Sequence, residues 1–113
     1  MTDTHKMLVF SNPIEGREHE YNTWYEEIHI PEVLGTPGIV AAQRYELSSG
    51  QLPPAPNPPT QYLAVYEIDG DPAEAFAAMV ERGKTGEISR GEATDPASVS
   101  MLFYSPRTER FTG

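Results

Sequence analysis

The feature that most constrains the fold is a pair of strand-like segments with apolar side chains on both faces. In residues 39–47 and 61–69, hydrophobic residues occupy both alternating sets of positions. Side chains of a strand alternate between the two faces of a sheet, so this sheet must be covered on both sides. The chain has 113 residues and only two amphipathic helical patterns, which can cover one face. A second copy of the chain, packed sheet against sheet, would cover the other.

The order of the predicted elements is β-α-β-β-α-β. Strands are predicted at residues 6–11, 39–47, 61–69 and 97–105, and helices at residues 17–30 and 73–82. Pro31 is expected to end or kink the first helix, with one further turn possible after it. Asp71 and Pro72 are typical of a helix start, and the residues expected on the buried side of that helix are Phe76, Met79 and Val80. This order predicts an α+β, ferredoxin-like domain, a four-stranded antiparallel sheet with both helices on one face.

Strict alternation along the second strand divides its residues between two faces. One face is predicted to carry Ile39, Ala41, Gln43, Tyr45 and Leu47. The other is predicted to carry Val40, Ala42, Arg44 and Glu46.

Composition and charge narrow the range of partners and compartments. Residues 1–113 are expected to form a single domain, because this length supports one hydrophobic core. The formal charge of −9 disfavours nucleic acid and anionic membranes as partners. The lack of cysteine excludes disulfides and thiolate chemistry, and no secretion signal is visible, so we expect a cytoplasmic protein.

Two segments outside the predicted elements differ in composition from the rest. Residues 48–60 contain five prolines and are expected to form a stiff, extended connector between the second and third strands. The alternative is an arm that binds a partner, although the segment lacks a basic residue to orient a polyproline ligand. Residues 106–113 form a tail that we expect to be ordered only when another surface takes it up.

The first predicted helix carries the main candidate site. Asn22, Tyr25 and His29 follow one another at spacings of three and four residues, so their side chains would line one cavity. His29 is placed at the helix end, where Glu26 and Glu32 favour the imidazolium form and burial opposes it. Such a histidine can act as a general acid or base, or it can simply bond a local carbonyl or carboxylate.

The aromatic residues of this helix also have two possible roles. Trp24 and Tyr21 recur at helical spacing, and such residues more often pack in the core than contact a ligand. Trp24 remains a candidate for substrate contact because it lies beside the stripe that ends in His29.

Arg44 on the second strand is the other candidate for a catalytic role. A buried guanidinium group needs a carboxylate or an anionic ligand to offset its desolvation. Glu67 on the neighbouring strand is a possible structural partner, and the alternative is that Arg44 acts on a substrate. Tyr66 and Tyr104 are candidate substrate-binding residues through their hydroxyl groups, although most tyrosines in strands only pack.

No metal site and no cofactor are predicted. Glu26 and His29 have the spacing of half a di-iron site, but such a site needs further carboxylates that face it from other helices. The chain has no Gly-rich phosphate loop and no nucleophile elbow, and its histidines form no i, i+4 pair.

One motif resembles a known family. An acidic first turn is followed by aromatic-Asn-x-Trp-Tyr-x-x-x-His-x-Pro, then by Pro-Gly and by Gln-Arg-aromatic. The residues that carry it are Tyr21, Asn22, Trp24, Tyr25, His29, Pro31, Pro37, Gly38, Gln43, Arg44 and Tyr45. The motif resembles the EthD-like group of the dimeric α+β barrel superfamily, and the element order extends the likeness to nearly the whole chain. Two departures are Ile39, where relatives commonly have an aromatic residue, and the long proline-rich loop.

The resemblance implies a homodimer or higher assembly in which two sheets form a barrel and each subunit keeps a ligand cleft between sheet and helices. It implies an enzyme for a small apolar oxygenated compound, such as an aromatic, lactone or polyketide-like molecule. The reaction would be isomerisation, dehydration, cyclisation or oxygenation without a cofactor. The alternatives are a non-catalytic ligand-binding or accessory protein that uses the same cleft, and a purely structural assembly module.

The roles that this enzyme hypothesis assigns are specific. His29 would move a proton, and Asn22 and Tyr25 would hold a substrate oxygen. Arg44 would stabilise an enolate or carboxylate.

Overall fold

The sheet and helices of this protein are defined in a computed structural model that describes residues 4–50 and 60–113. The strands are β1 (His5–Ser11), β2 (Ile39–Glu46), β3 (Tyr62–Ile68) and β4 (Ser100–Tyr104). The helical elements are α1 (Glu18–Trp24), a π-helical turn (Tyr25–His29), α2 (Ile30–Leu34), α3 (Pro72–Lys84) and a 3-10 turn (Pro96–Ser98). The strands form one antiparallel sheet in the order β2-β3-β1-β4. The predicted α+β class and the β-α-β-β-α-β order are therefore confirmed.

The core lies between the sheet and the helices. Along β1 and β3, every second residue is buried, and these residues face the helices. The buried hydrophobic residues are Met7, Val9, Tyr21, Tyr25, Val33, Ile39, Ala64, Tyr66, Ile68, Ala75 and Ala93. Removal of this apolar surface from water is the main force that holds the helices on the sheet.

The first helix continues through Pro31. The Ile30 N–H donates to the Tyr25 carbonyl, five residues earlier, which makes this turn π-helical. Proline lacks an N–H and its ring crowds the preceding turn, and a wider turn accommodates both effects. The chain then follows α2 as far as Leu34, so Pro31 does not end the helix.

A bulge in β2 changes which of its residues face the helices. Ile39 pairs with Ile68, and Ala41 pairs with the preceding residue, Glu67, which leaves one residue of β2 as the bulge. A bulge of this kind shifts the alternation of the strand by one position. Ile39 and Arg44 therefore lie on the same, helix-facing side, and the prediction that they lie on opposite faces is wrong.

Helix α3 begins as predicted but buries a different side. The carboxylate of Asp71 accepts a hydrogen bond of 2.9 Å from the first turn, which confirms it as the N-cap. Met79 packs against the core as expected, whereas Phe76 and Val80 are 41% and 40% exposed. Phe76 instead contacts Phe103 of β4, with 5.5 Å between the ring centroids.

The sheet face away from the helices is open in the single chain. Leu102 and Tyr104 of β4 point to this face and are 44% and 57% exposed. The ion pair between Lys6 and Glu67, at 2.9 Å, lies on the same face. This open side is the second apolar face that the strand patterns predicted.

The proline-rich loop and the C-terminal tail are the segments predicted to lie outside the sheet and helices. Most of the proline-rich loop predicted at residues 48–60 lies outside the described residues. The tail at residues 106–113 has no regular secondary structure and is exposed. In the parts of the chain that the structure describes, no helix has both the length and the apolar character needed to cross a membrane.

Candidate functional site

A cleft of about 470 Å³ lies between the first helix, the strands β1 and β4, and the loop that joins α3 to β4. We call it the main cleft. Its apolar wall includes Val9, Trp24, Pro96, Val99 and Met101. Its polar lining consists of Ser11, Tyr25, His29, Ser89, Arg90 and Thr94. An apolar cleft with a few polar groups is the usual form of a small-molecule site.

The π-helical turn sets the position of His29 in this cleft. The His29 and Trp24 rings stack with 4.4 Å between centroids and an interplanar angle of 22°. These residues are five apart, and a turn closed by hydrogen bonds between residues five apart brings them to the same face of the helix. The Tyr25 ring meets His29 edge-on at 5.0 Å. Trp24 is therefore part of the cleft wall as well as a packing residue.

Burial dominates the electrostatics of His29. Its Nδ1 atom is buried and has no hydrogen-bond partner among the described residues. Burial lowers the pKa of His29 from 6.5 to about 4, although the nearby Glu32 carboxylate acts in the opposite direction. His29 is therefore neutral at neutral pH, so one of its ring nitrogens carries a proton and the other is an acceptor.

The loop between α3 and β4 closes one side of the main cleft. Glu32 accepts hydrogen bonds from the backbone N–H and the hydroxyl group of Ser89, at 3.0 and 2.7 Å. These bonds lower the pKa of Glu32. Trp24 Nε1 lies 3.4 Å from the same hydroxyl oxygen. Gly91 packs so closely on the Trp24 indole that a Cβ there would lie 2.6 Å from the ring, so a glycine is needed for this closure.

Arg44 lies on the other side of Tyr25, in a second cleft of about 320 Å³. The rings of Tyr25, Tyr62 and Tyr21 surround its guanidinium carbon at 4.5, 5.0 and 5.4 Å. Arg44 Nη1 donates to Glu26 at 2.7 Å. Cation–π contacts of this kind are stronger when the cation is desolvated. Arg44 therefore holds a cluster of three tyrosines that separates the two clefts. Tyr62 lines the second cleft and Tyr25 lines the main cleft.

Comparison of the sequence with known families and proteins gives no match. No family model matches the chain, and no curated protein matches it.

Solved structures match nearly the whole chain. An EthD-like protein from Ralstonia eutropha JMP134 has a TM-score of 0.63 at 19% identity, over 97% of each chain. An EthD-family protein from Bacillus halodurans C-125 has a TM-score of 0.58 at 12% identity, over 91% of this chain and 98% of that one. A variant of MhuD, with two manganese protoporphyrin IX groups bound per active site, has a TM-score of 0.62 at 16% identity, over 96% of this chain and 99% of that one.

The chain has the EthD-like fold. The resemblance that the helix motif indicated is thereby confirmed at the level of the fold, together with the ferredoxin-like sheet order. Identities this low show the shared architecture alone, so the chemistry of this chain depends on its own residues.

The EthD-like fold divides the predicted site residues among four places. Trp24, Tyr25 and His29 line the main cleft, whereas Asn22 and Arg44 line the second cleft. Tyr66 is buried in the core, where its hydroxyl has no hydrogen-bond partner among the described residues and burial raises its pKa. Tyr104 lies on the open face of the sheet, away from both clefts.

The proposed partner of Arg44 was wrong. Glu67 lies on the open face and pairs with Lys6, while Arg44 faces the helices and pairs with Glu26. The pairing register of β2 and β3 decides this, because Arg44 stands opposite the buried Ala64. A single pocket formed by Asn22, Tyr25 and His29 is likewise not observed, since Asn22 donates to Tyr62 in the second cleft at 3.2 Å.

Several residues of the main cleft were not predicted. Ser89, Arg90, Gly91 and Thr94 come from a polar segment without helix or strand periodicity. Thr94 Oγ1 is buried without a hydrogen-bond partner in the described part of the chain. The available signal was positional, because this segment is the loop that joins α3 to the edge strand β4, and loops on a rigid scaffold often carry binding residues.

Within residues 4–50 and 60–113, no group of three or more His, Asp or Glu side chains is placed to hold a metal ion.

Proposed function

We propose that this chain is a small-molecule enzyme that uses His29 for acid–base chemistry on an apolar, oxygenated compound in the main cleft. The observation that carries the proposal is His29, whose ring lines the apolar main cleft, stacks on Trp24 and keeps a buried Nδ1 atom without a partner among the described residues. A buried polar atom without a partner is costly, so it is a natural contact for a ligand. The reaction would be isomerisation, dehydration, cyclisation or oxygenation without a cofactor.

Neutral His29 would serve as the proton acceptor. Negative charge that develops on a bound carbonyl compound would stabilise the imidazolium form and raise the pKa of His29 from its low resting value. Proton transfer would then be coupled to formation of the enolate.

Tyr25 would stabilise the negative charge that develops on the substrate oxygen. Burial raises the pKa of Tyr25 to about 12, so its phenol stays protonated and can donate a hydrogen bond to a substrate oxygen. Asn22 and Arg44 would act indirectly, by holding the tyrosines that they contact, because they line the second cleft and not the main one. No resident cofactor is proposed.

The fold offers indirect support for a ligand-binding role. The MhuD variant holds two manganese protoporphyrin IX groups per active site, so this architecture can enclose a large apolar ligand. The net charge of −9 and the lack of cysteine fit a cytoplasmic enzyme.

Solvent deuterium exchange tests the enzyme proposal. Purified protein would be incubated in D₂O with a panel of aromatic ketones, lactones and phenols. We expect deuterium to enter the carbon next to a carbonyl in at least one compound, as detected by mass spectrometry. Oxygen uptake, measured in parallel, would identify cofactor-free oxygenation, and His19→Gln, at an exposed position of α1, serves as the control.

The alternative is a non-catalytic ligand-binding or accessory protein. Its supporting result would be retention of a ligand, seen by native mass spectrometry, without exchange or turnover of any compound. The presence of the main cleft favours this alternative over a purely structural module, which would need no cavity.

We also propose that two copies pair through the open sheet face, because that face carries exposed apolar side chains that the chain itself does not cover. Leu102→Arg is expected to convert the assembly to monomers, as measured by sedimentation velocity. Val80→Arg is the matched control, since Val80 is similarly exposed but lies on α3. A wild-type protein that sediments as a monomer would rule out this pairing.

A further inference from the structure

The charge of the main cleft differs from that of its neighbours. At neutral pH its lining contains one charged side chain, Arg90, because buried His29 is neutral. The second cleft combines Arg44 with two glutamates, Glu26 and Glu46. A third cleft, of about 670 Å³, is lined by three carboxylates and no cation, and those carboxylates belong to Glu15, Glu18 and Asp95. Of these three clefts in a chain of charge −9, only the main cleft has a cation and no carboxylate in its lining, and the Glu32 carboxylate lies behind it, bonded to Ser89.

The exposed Arg90 has no protein partner among the described residues; Lys84, Arg107 and Arg110 are also unpaired there, but Arg90 is the one of these four that lines one of the three clefts. Four other cations form ion pairs with carboxylates, and these are Lys6, Arg17, Arg44 and Arg82. Arg90 makes no hydrogen bond or ion pair with any residue that the structure describes. An acidic chain offers many carboxylates, so an unpaired guanidinium group at the edge of an apolar cleft is available to a ligand.

The shape of the guanidinium group restricts the chemistry of that ligand. Its planar fork matches the two oxygens of a carboxylate and binds them with charge-assisted hydrogen bonds. The apolar wall beside it would take up a hydrocarbon or aromatic body. We propose that Arg90 anchors the carboxylate of an apolar carboxylic acid in the main cleft, and this inference rests on the proposed function only in using the same cleft.

This assignment connects substrate binding with the chemistry of His29. A carboxylate held near the imidazole favours its protonated form, so binding would raise the affinity of His29 for a proton. The buried hydroxyl of Thr94 would gain a hydrogen-bond partner from the same ligand or from a water molecule that it holds.

A pair of matched probes tests the assignment. Phenylacetate and phenylacetamide have nearly the same shape and differ in charge. Trp24 is the only tryptophan and lines the main cleft, so its fluorescence reports occupancy. We expect phenylacetate to bind wild type about tenfold more tightly than the amide, as charge-assisted hydrogen bonds are stronger than neutral ones. Arg90→Gln should remove this preference, Arg90→Lys should keep part of it, and Arg107→Gln in the tail should leave it unchanged.

The outcomes separate this proposal from the enzyme proposal. Equal affinity for the two probes, a preference that survives in Arg90→Gln, or no binding of phenylacetate by wild type would overturn the role of Arg90. A preference that depends on Arg90, combined with no deuterium exchange in any compound, would support the anchor and contradict the enzyme. Exchange of neutral ketones that is unaffected by Arg90→Gln, combined with equal affinity for the two probes, would support the enzyme and contradict the anchor.

Discussion

Replacement of His29 by Gln is expected to lower turnover by roughly 10²- to 10⁴-fold, the usual contribution of a general acid or base. Glutamine keeps a planar polar group of similar length but cannot take up and return a proton at neutral pH. The stack on Trp24 and the apolar wall remain, so ligand affinity should change much less than the rate. A loss confined to kcat would show that the imidazole acts in the transition state and not in ground-state binding.

The control for this experiment is His19→Gln. His19 lies on the same helix but is exposed, so its replacement should leave both turnover and ligand affinity unchanged. Affinity for each ligand can be followed through Trp24 fluorescence in every variant. Wild-type turnover in His29→Gln would contradict the proposed mechanism, whereas a rise in KM alone would reduce His29 to a binding residue.

The second large effect is a loss of stability in mild acid. Burial lowers the pKa of His29 from 6.5 to about 4 in the folded chain, so the unfolded state binds the proton more tightly. Stability is therefore fully present above pH 6.5 and falls as the pH drops toward 4, below which this contribution stays constant. This decrease in the pKa of His29 corresponds to a loss of about 3 kcal/mol in the free energy of unfolding.

Urea unfolding as a function of pH measures this contribution. The difference in free energy of unfolding between wild type and His29→Gln should change by about 3 kcal/mol between pH 6.5 and about pH 4, because glutamine does not titrate. His19→Gln should follow the wild-type curve. The lowered pKa of Glu32 adds a loss in the same direction only below its usual value of 4.5, so the upper part of the window reports His29. Parallel curves for wild type and His29→Gln would show that His29 is not buried as a neutral group.

Local patterns were sufficient for the architecture. Alternation in β1 and β3, the helical spacing around Tyr21 and the cap at Asp71 are properties of short segments, and each is found in the structure. The motif around Trp24 and His29 was sufficient to predict the EthD-like fold. Three of its residues line the main cleft.

Sequence patterns alone could not decide which side chains meet. Helical periodicity placed His29 with Asn22, but the π-helical turn joins His29 to Trp24 and leaves Asn22 in the second cleft. Strict alternation placed Arg44 opposite the face of Ile39, but the bulge in β2 puts them on one side, against the helices.

The amino-acid sequence therefore determined the order of elements, the open apolar sheet face and the helix that contributes Trp24, Tyr25 and His29 to the main cleft. The division into two clefts, the pairing of Arg44 with Glu26 and the contribution of Arg90 came from the tertiary structure. The physical reason is that a π-helical turn or a β-bulge shifts a hydrogen-bond pattern by a single residue. Such a shift is stabilised by packing between elements and leaves no periodic signal in the segment itself.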